Sequence, residues 1–370
     1  VNYFGEGWWY DKYLGWIPGY DPSGITETSK TSTLESRMGA EAGEAGNMAL
    51  DGNLQTKKWF PDCVKVYWLK GLALNSVGLS GPGLKALLER GEWQRKVDPI
   101  IISLMATGPT KESRLVQMAT MGKMFRKEIQ KDFPYFPRWA RNVAFKQNIS
   151  CPNTKHDPRE LEKESIEQLI YFRAGLAGFF DRVTEMDFES VHEIIRLIPA
   201  TKIADEITIR SGPFGRISAG IKASLLSKPS SMRTIVDSGL CDFISIPNTV
   251  SWGELPDRID WQKLFGTTVS PLAKYGGGGL SGWPLTPLTA EWIFKCRKEG
   301  IKVPINAGSV YKADDVDLMH SVGASGIVIG CVKFLRPWRL ESIKQRAKNL
   351  YTLDGTWDVY ACHSVLPAEK

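Results

Sequence analysis

From about residue 99 onward, short continuously apolar runs alternate with segments of helical periodicity. Residues 99–104 (Pro-Ile-Ile-Ile-Ser-Leu) predict a strand buried on both faces, and Val143-Ala144-Phe145 leading into Asn148 predicts another. Further runs at 201–203, 242–246, 303–306 and 326–330 extend the series. Between them lie amphipathic helices. Asp157-Pro158-Arg159-Glu160 is a helix start: an acceptor side chain, proline at the first helical position, then an acid. Ile166, Leu169, Ile170, Leu176, Phe179 and Phe180 follow at helical spacing and form one apolar stripe. A second helix is predicted over 288–299, stopped by Gly300, and a third over 313–322, ending at Gly323-Ala324. Alternating strands and helices imply a parallel sheet with right-handed crossovers. An open doubly wound sheet and a closed barrel both satisfy that pattern.

Composition narrows the class. The 370 residues are 42% apolar, enough for one barrel with insertions or two ordinary domains. The longest apolar runs fall short of the ~18 residues that a membrane-spanning helix needs. A net charge of +6 suits an anionic ligand. Without a dense Lys/Arg block, the sequence predicts no nucleic-acid partner. Cysteines at 63, 151, 241, 296, 331 and 362 have neither CxxC nor zinc spacing. In a chain this long they read as reduced thiols in a reducing compartment, with the cytoplasm expected and an organelle left open. Val1 stands where Met would, so the chain reads as processed, trimmed or lacking its start, and a targeting segment would be invisible. Trp8, Trp9, Tyr10, Tyr13, Trp16 and Tyr20 make the N-terminal segment aromatic-rich, suited to a locally packed cap or a subunit interface. Residues 39–53 read as a loop insertion and 133–141 as a surface excursion.

The chemistry-bearing residues sit where a barrel puts them. Polar or glycine-rich clusters follow the apolar runs in order: Ser29 to Thr33, Asn75 to Leu79, Asn148 to Asn153, Lys202, Asn248-Thr249, Gly276 to Gly282, Ala307-Gly308-Ser309 and Gly330-Cys331. In a parallel barrel such βα loops build one site at the C-terminal ends of the strands. Within Asn148-Ile149-Ser150-Cys151-Pro152-Asn153, Pro152 restricts Cys151 to extended backbone. A thiolate there is a candidate proton acceptor, and the amides suit a planar heterocycle. A buried, inert thiol is the competing reading. Four successive glycines, 276–279, allow close backbone approach to a ligand. The turns at Gly308-Ser309 and Gly330-Cys331 are candidates for a phosphate. Lys30 and Lys202 gain weight only from their places in the ordered set.

Lys30-Thr31-Ser32-Thr33-Leu34-Glu35-Ser36-Arg37, Asn75 to Leu79, Asn148 to Asn153, Asn248-Thr249, Gly278 to Gly282 and Gly323-Ala324, in this order, resemble the dihydroorotate dehydrogenases over about residues 22 to 340. A cysteine in the loop resembles the soluble class. The resemblance implies a single FMN-binding (β/α)8 TIM barrel over 1–370, with an aromatic-rich N-terminal segment and loop insertions. It implies FMN-dependent oxidation of dihydroorotate to orotate in pyrimidine biosynthesis, with Cys151 as catalytic base. Lys30, Asn75, Gly78, Leu79, Asn148, Asn153, Asn248 and Thr249 would hold the substrate. Lys30, Lys202, Gly279, Ser281, Gly308, Ser309, Gly330 and Cys331 would hold FMN, with Lys202 at the electron-rich edge of the flavin. A homodimer or a subunit of a larger complex is expected. The chain departs from the family pattern at Tyr3, Phe4, Ser309 and Cys331. A related dihydropyrimidine dehydrogenase, which usually has His where Asn153 stands, and a non-catalytic barrel subunit are the alternatives at this stage.

Overall fold

The computed structural model describes residues 4, 6, 7, 10–38, 46–131, 138–150, 158–178 and 217–351. Cys151, Asn153, Lys202, Tyr3 and the strand expected at 201–203 lie outside the described residues.

The main sheet has seven described strands, all parallel: β1 (Glu27–Thr28), β4 (Ile100–Leu104), β5 (Val143–Asn148), β6 (Ala219–Lys222), β7 (Ile244–Ile246), β10 (Ile305–Ala307) and β11 (Gly326–Ile327), in that spatial order. The sheet is α/β and of TIM-barrel type. Its strand order follows chain order, as a barrel requires and a doubly wound sheet does not. The runs at 99–104, 143–148, 242–246, 303–306 and 326–330 all supply strands, the last shortened to two residues.

Helices cover the outer face. Those used below are α1 (Leu84–Arg90), α2 (Lys111–Gln130), α3 (Pro158–Ala177), α4 (Pro229–Asp237), α5 (Thr286–Lys298), α6 (Ala313–Ser321) and α7 (Leu340–Tyr351). The expected helix starts and stops hold. Pro158 opens α3, and Gly300, with φ of 79°, follows α5. The side chains of β5 alternate. Phe145 packs outward on Phe125 of α2 at 4.5 Å and Phe172 of α3 at 5.0 Å. Each such buried ring contributes roughly 1.5–3 kcal/mol. Helices α2 and α3 touch at their backbones, since a Cβ on Gly175 would lie 2.3 Å from the Ala119 carbonyl oxygen. Arg114 of α2 reinforces the contact through paired bonds to Glu164 of α3 at 2.9 and 2.5 Å. Part of the expected surface excursion at 133–141 is a helical turn, Arg138–Arg141, that buries Trp139 and Ala140.

A second, antiparallel sheet has the order β2 (Val64–Tyr67), β3 (Leu72–Asn75), β9 (Gly279–Gly282), β8 (Val250–Ser251). It is tied to the C-terminal ends of the barrel strands, because β8 begins four residues after Ile246, the last residue of β7. Its own core is Leu72, Leu74, Val250, Trp261, Phe265, Leu272 and Leu280. The N-terminal aromatics divide: Phe4 and Tyr20 are buried, whereas Trp16 is 82% exposed. Among the described residues, no helix is long and apolar enough to cross a membrane.

Candidate active site

Register places the polar residues in rows. Asn148 of β5 is paired with Lys222 of β6, Lys222 with Ser245 of β7, and Ser245 with Asn306 of β10. Residues opposite one another on parallel strands project to the same face. This row therefore runs along the inner face near the C-terminal strand ends, opposite in sense to the outward Phe145. The sequence reading missed Lys222. Lys202 lies outside the described residues, and the strand standing between β5 and β7 ends in a second candidate cation, Lys222. The available signal was the pattern of a small apolar run, Ala219-Gly220-Ile221, ending in a cation and followed by a proline-initiated helix at Pro229.

The asparagines interlock. Asn248 Nδ2 donates to Asn148 Oδ1 at 3.0 Å and to the Ser150 carbonyl at 2.8 Å. Its own Oδ1 accepts the Thr249 backbone N–H at 3.0 Å. Asn148 Nδ2 donates to Thr31 Oγ1 at 3.1 Å, and that hydroxyl lies 2.9 Å from Ser103 Oγ. Ser150 Oγ donates to the Lys222 carbonyl at 3.0 Å. Five strand ends, β1, β4, β5, β6 and β7, thus meet in one buried polar network. The network fixes Ser150, the residue immediately before Cys151. Thr249 Oγ1 and Ser245 Oγ are buried with no hydrogen-bond partner among the described residues. Buried hydroxyls of this kind are expected to find a polar partner.

Lys30 follows β1. Its ammonium donates to the Ser80 carbonyl and lies 5.1 Å from the centre of the Phe4 ring. Phe4 belongs to the core, with Trp93 Nε1 donating to its carbonyl at 2.5 Å. The aromatic departure at this position therefore packs beside Lys30. The loop carrying Gly78 and Leu79 is held from outside: Arg37 Nε donates to the Gly78 carbonyl at 3.1 Å and Asn47 Nδ2 to the Ser76 carbonyl at 2.7 Å. Both Gly78 and Leu79 have left-handed backbone, at φ of 70° and 61°. For leucine this costs about 1–2 kcal/mol and persists only where surroundings impose it.

Asn75 and Gly279 face each other across β3 and β9, and Asn75 Nδ2 approaches the Gly279 carbonyl at 3.4 Å. Ser281 sits further along β9, opposite Ala73. Gly279 and Ser281 thus stand in the second sheet. Gly308-Ser309 and Gly330-Cys331 follow the barrel strands β10 and β11. A Cβ on Gly308 would come 3.0 Å from Pro247 Cδ, so the chain passes close there, while one on Gly330 would meet open space. Ser309 has φ of 57°, and Thr286 Oγ1 donates to its carbonyl at 2.5 Å. Burial pushes the Cys331 thiol up to about 12, so it stays neutral and does not repel an anion. Open space after β11, a close glycine turn after β10 and unpartnered hydroxyls beside the amides fit a flat heterocycle with a phosphate arm.

Comparison with curated proteins finds several relatives. The chain is 28% identical over 272 residues to the catalytic subunit of dihydroorotate dehydrogenase B (NAD(+)) from a Geobacillus species, covering 72% of this chain and 67% of that protein. The same subunit from Anoxybacillus flavithermus is 27% identical over 271 residues, covering 72% and 66%. That from Bacillus pumilus is 24% identical over 292 residues, covering 78% and 74%. The chain is thus similar to catalytic subunits of dihydroorotate dehydrogenase B over about 72% of its length. It spans about two thirds of the length of the first two relatives. No family model matches it.

Proposed function

We propose that this chain is an FMN-dependent oxidoreductase that converts dihydroorotate to orotate in pyrimidine biosynthesis. The observation that carries the reading is the buried Asn148–Asn248–Ser150 network. It lies at adjoining strand ends, with Lys222 and Thr249 beside it, in a homologue of enzymes named for this reaction. Amide edges suit a pyrimidine, and Lys30 suits its carboxylate. Bound FMN supplies a two-electron acceptor that takes a hydride. Lys222, Gly308, Ser309, Gly330 and Cys331 would hold it, with Gly279 and Ser281 contributing from the second sheet. Lys222 would be a cation that favours the reduced flavin, the role that the resemblance implies for Lys202.

The protein's own part is to bind, orient and remove a proton. Asn148 and Asn248, locked to each other, present fixed donors and acceptors to the ring. Cys151 Sγ accepts the proton from one saturated ring carbon as the neighbouring carbon gives up its hydride, and the C=C bond forms between them. The anchored Ser150 carbonyl holds the residue just before Cys151, and a proline after Cys151 favours extended backbone there. The relatives' names support NAD(+) as the acceptor, reached through another subunit of a larger assembly.

The test is direct. Purified chain reconstituted with FMN is expected to show the oxidised flavin band near ~450 nm. Anaerobic dihydroorotate should bleach it and dihydrouracil should not. Absence of flavin binding overturns the reading, and bleaching by dihydrouracil alone assigns the chain to dihydropyrimidine reduction. Cys151→Ser should slow bleaching at neutral pH while FMN stays bound.

A further inference from the structure

One buried cation stands below the network and outside the chemistry described so far. Lys146, in the middle of β5, is only 3% exposed. Its neighbours on β5, Phe145 and Val143, face the outer helices and belong to the main core. Lys146 therefore faces inward with Ala144 and Asn148, two residues away on either side. Below it, Ala144, Ile101 and Phe243 form a small separate apolar cluster. Above it, Asn148 opens the polar network. Across the sheet it is in register with Ser103 of β4 and with Gly220 of β6. Gly220 brings no side chain, and a Cβ there would come 2.6 Å from the Phe243 ring, so that ring occupies the adjoining floor. Lys146 thus stands between an apolar cluster below and a polar stretch toward the strand ends, where Ser29, Thr31, Ser103 and Asn148 are all buried.

We infer that Lys146 is a positioning residue that places a positive charge beneath the bound flavin and raises its reduction potential. This rests on the flavin reading above. Reduction adds negative charge to the ring system, and a fixed ammonium in a low-dielectric interior favours that product. Lys146 stands one row below Lys222, so the two lysines act on the same reduced group from different depths. At an effective dielectric of about 20, a unit charge roughly 10 Å away biases the equilibrium by more than tenfold.

The test compares reconstituted wild type with Lys146→Met and Lys146→Gln, reading the flavin midpoint potential by anaerobic dye equilibration. Both substitutions remove the charge and keep most of the volume. The expected result is a potential lowered by the equivalent of a tenfold or larger change, ~30 mV or more for a two-electron couple, in either variant. A chain that takes up no FMN overturns this inference together with the reading it rests on. A flavin-loaded variant whose potential matches wild type overturns this inference alone. Failure of both variants to fold assigns Lys146 a purely structural role and likewise overturns it.

Discussion

Replacing Asn248 tests whether the network at the strand ends holds Ser150, the residue before Cys151, in place. Asn248 is 5% exposed. Its Nδ2 donates to Asn148 Oδ1 and the Ser150 carbonyl, and its Oδ1 accepts from the Thr249 N–H. Asn248→Ala removes these three interactions and the weaker one from Nδ2 to Ser150 Oγ at 3.2 Å. Asn148 Oδ1 keeps the Ser150 N–H at 3.3 Å, but the Ser150 carbonyl loses this donor. Net loss of about 1 kcal/mol per bond, with about 1–3 kcal/mol for an acceptor left unsatisfied, gives roughly 3–5 kcal/mol. Asn248→Asp keeps the shape but turns an oxygen toward the Asn148 Oδ1 and Ser150 carbonyl oxygens that Nδ2 now serves. It should cost at least as much as alanine at neutral pH, because a buried charge replaces a donor. Urea unfolding of the flavin-loaded protein measures both, and orotate titration reports the ligand side, where tenfold or greater weakening is expected. A loss below about 0.5 kcal/mol for Asn248→Ala is the level of an ordinary surface change and would refute the network's role. An aspartate variant more stable than the alanine variant would refute the donor assignment itself.

Further consequences follow from the packing and from the thiol. Gly175→Ala drives a Cβ to within 2.3 Å of the Ala119 carbonyl oxygen, so helices α2 and α3 must separate. A loss of about 1–3 kcal/mol in urea unfolding is expected, and a neutral substitution would contradict the backbone contact. Arg173 of α3, fully buried, donates to the Leu240 carbonyl at 2.9 Å and to Asp242 at 2.5 Å. Arg173→Ala should cost about 3–5 kcal/mol by taking the charge partner from Asp242, which keeps the Ala219 N–H, in a partly buried site, again read by denaturation. Burial pushes the Cys331 thiol up to about 12, so it is protonated throughout the neutral range. Its alkylation rate should rise about tenfold per pH unit up to the highest pH the fold tolerates. A plateau between pH 8 and 9, followed by peptide mapping, would show a thiolate instead.

Much of the architecture was legible because buried parallel strands are short and apolar and their helices carry one apolar stripe. Residues 99–104 and 143–148 declared themselves this way, as did the helix opened by Pro158. The strand Ala219–Lys222 did not. Two of its four residues are Ala and Gly, too small to register as a strand by pattern. Their smallness has a packing reason: Phe243 lies against Gly220, so a larger side chain would not fit. The same constraint hid Lys222, since a lysine is recognised as a site residue only once its strand is. Lys146 was hidden for the opposite reason. It sits inside a run that reads as buried, where a lone lysine is normally taken for an exposed alternate.

The departures on the cofactor side have a common physical answer. Phe4 is drawn into the core and its ring accompanies the Lys30 ammonium, which is also held by the Ser80 carbonyl. Cys331, protonated by burial, would add no charge beside the phosphate of the proposed FMN, and Gly330 before it leaves open space. Ser309 takes left-handed backbone that glycine would adopt more easily, and Thr286 anchors its carbonyl. Serine therefore keeps the turn's shape at a cost of about 1–2 kcal/mol and adds a hydroxyl donor. Ser309→Gly should accordingly stabilise the apo chain while weakening FMN binding through loss of that donor. Equal FMN affinity in the two proteins would show that the serine hydroxyl does not reach the phosphate, leaving backbone shape as the only contribution of this turn.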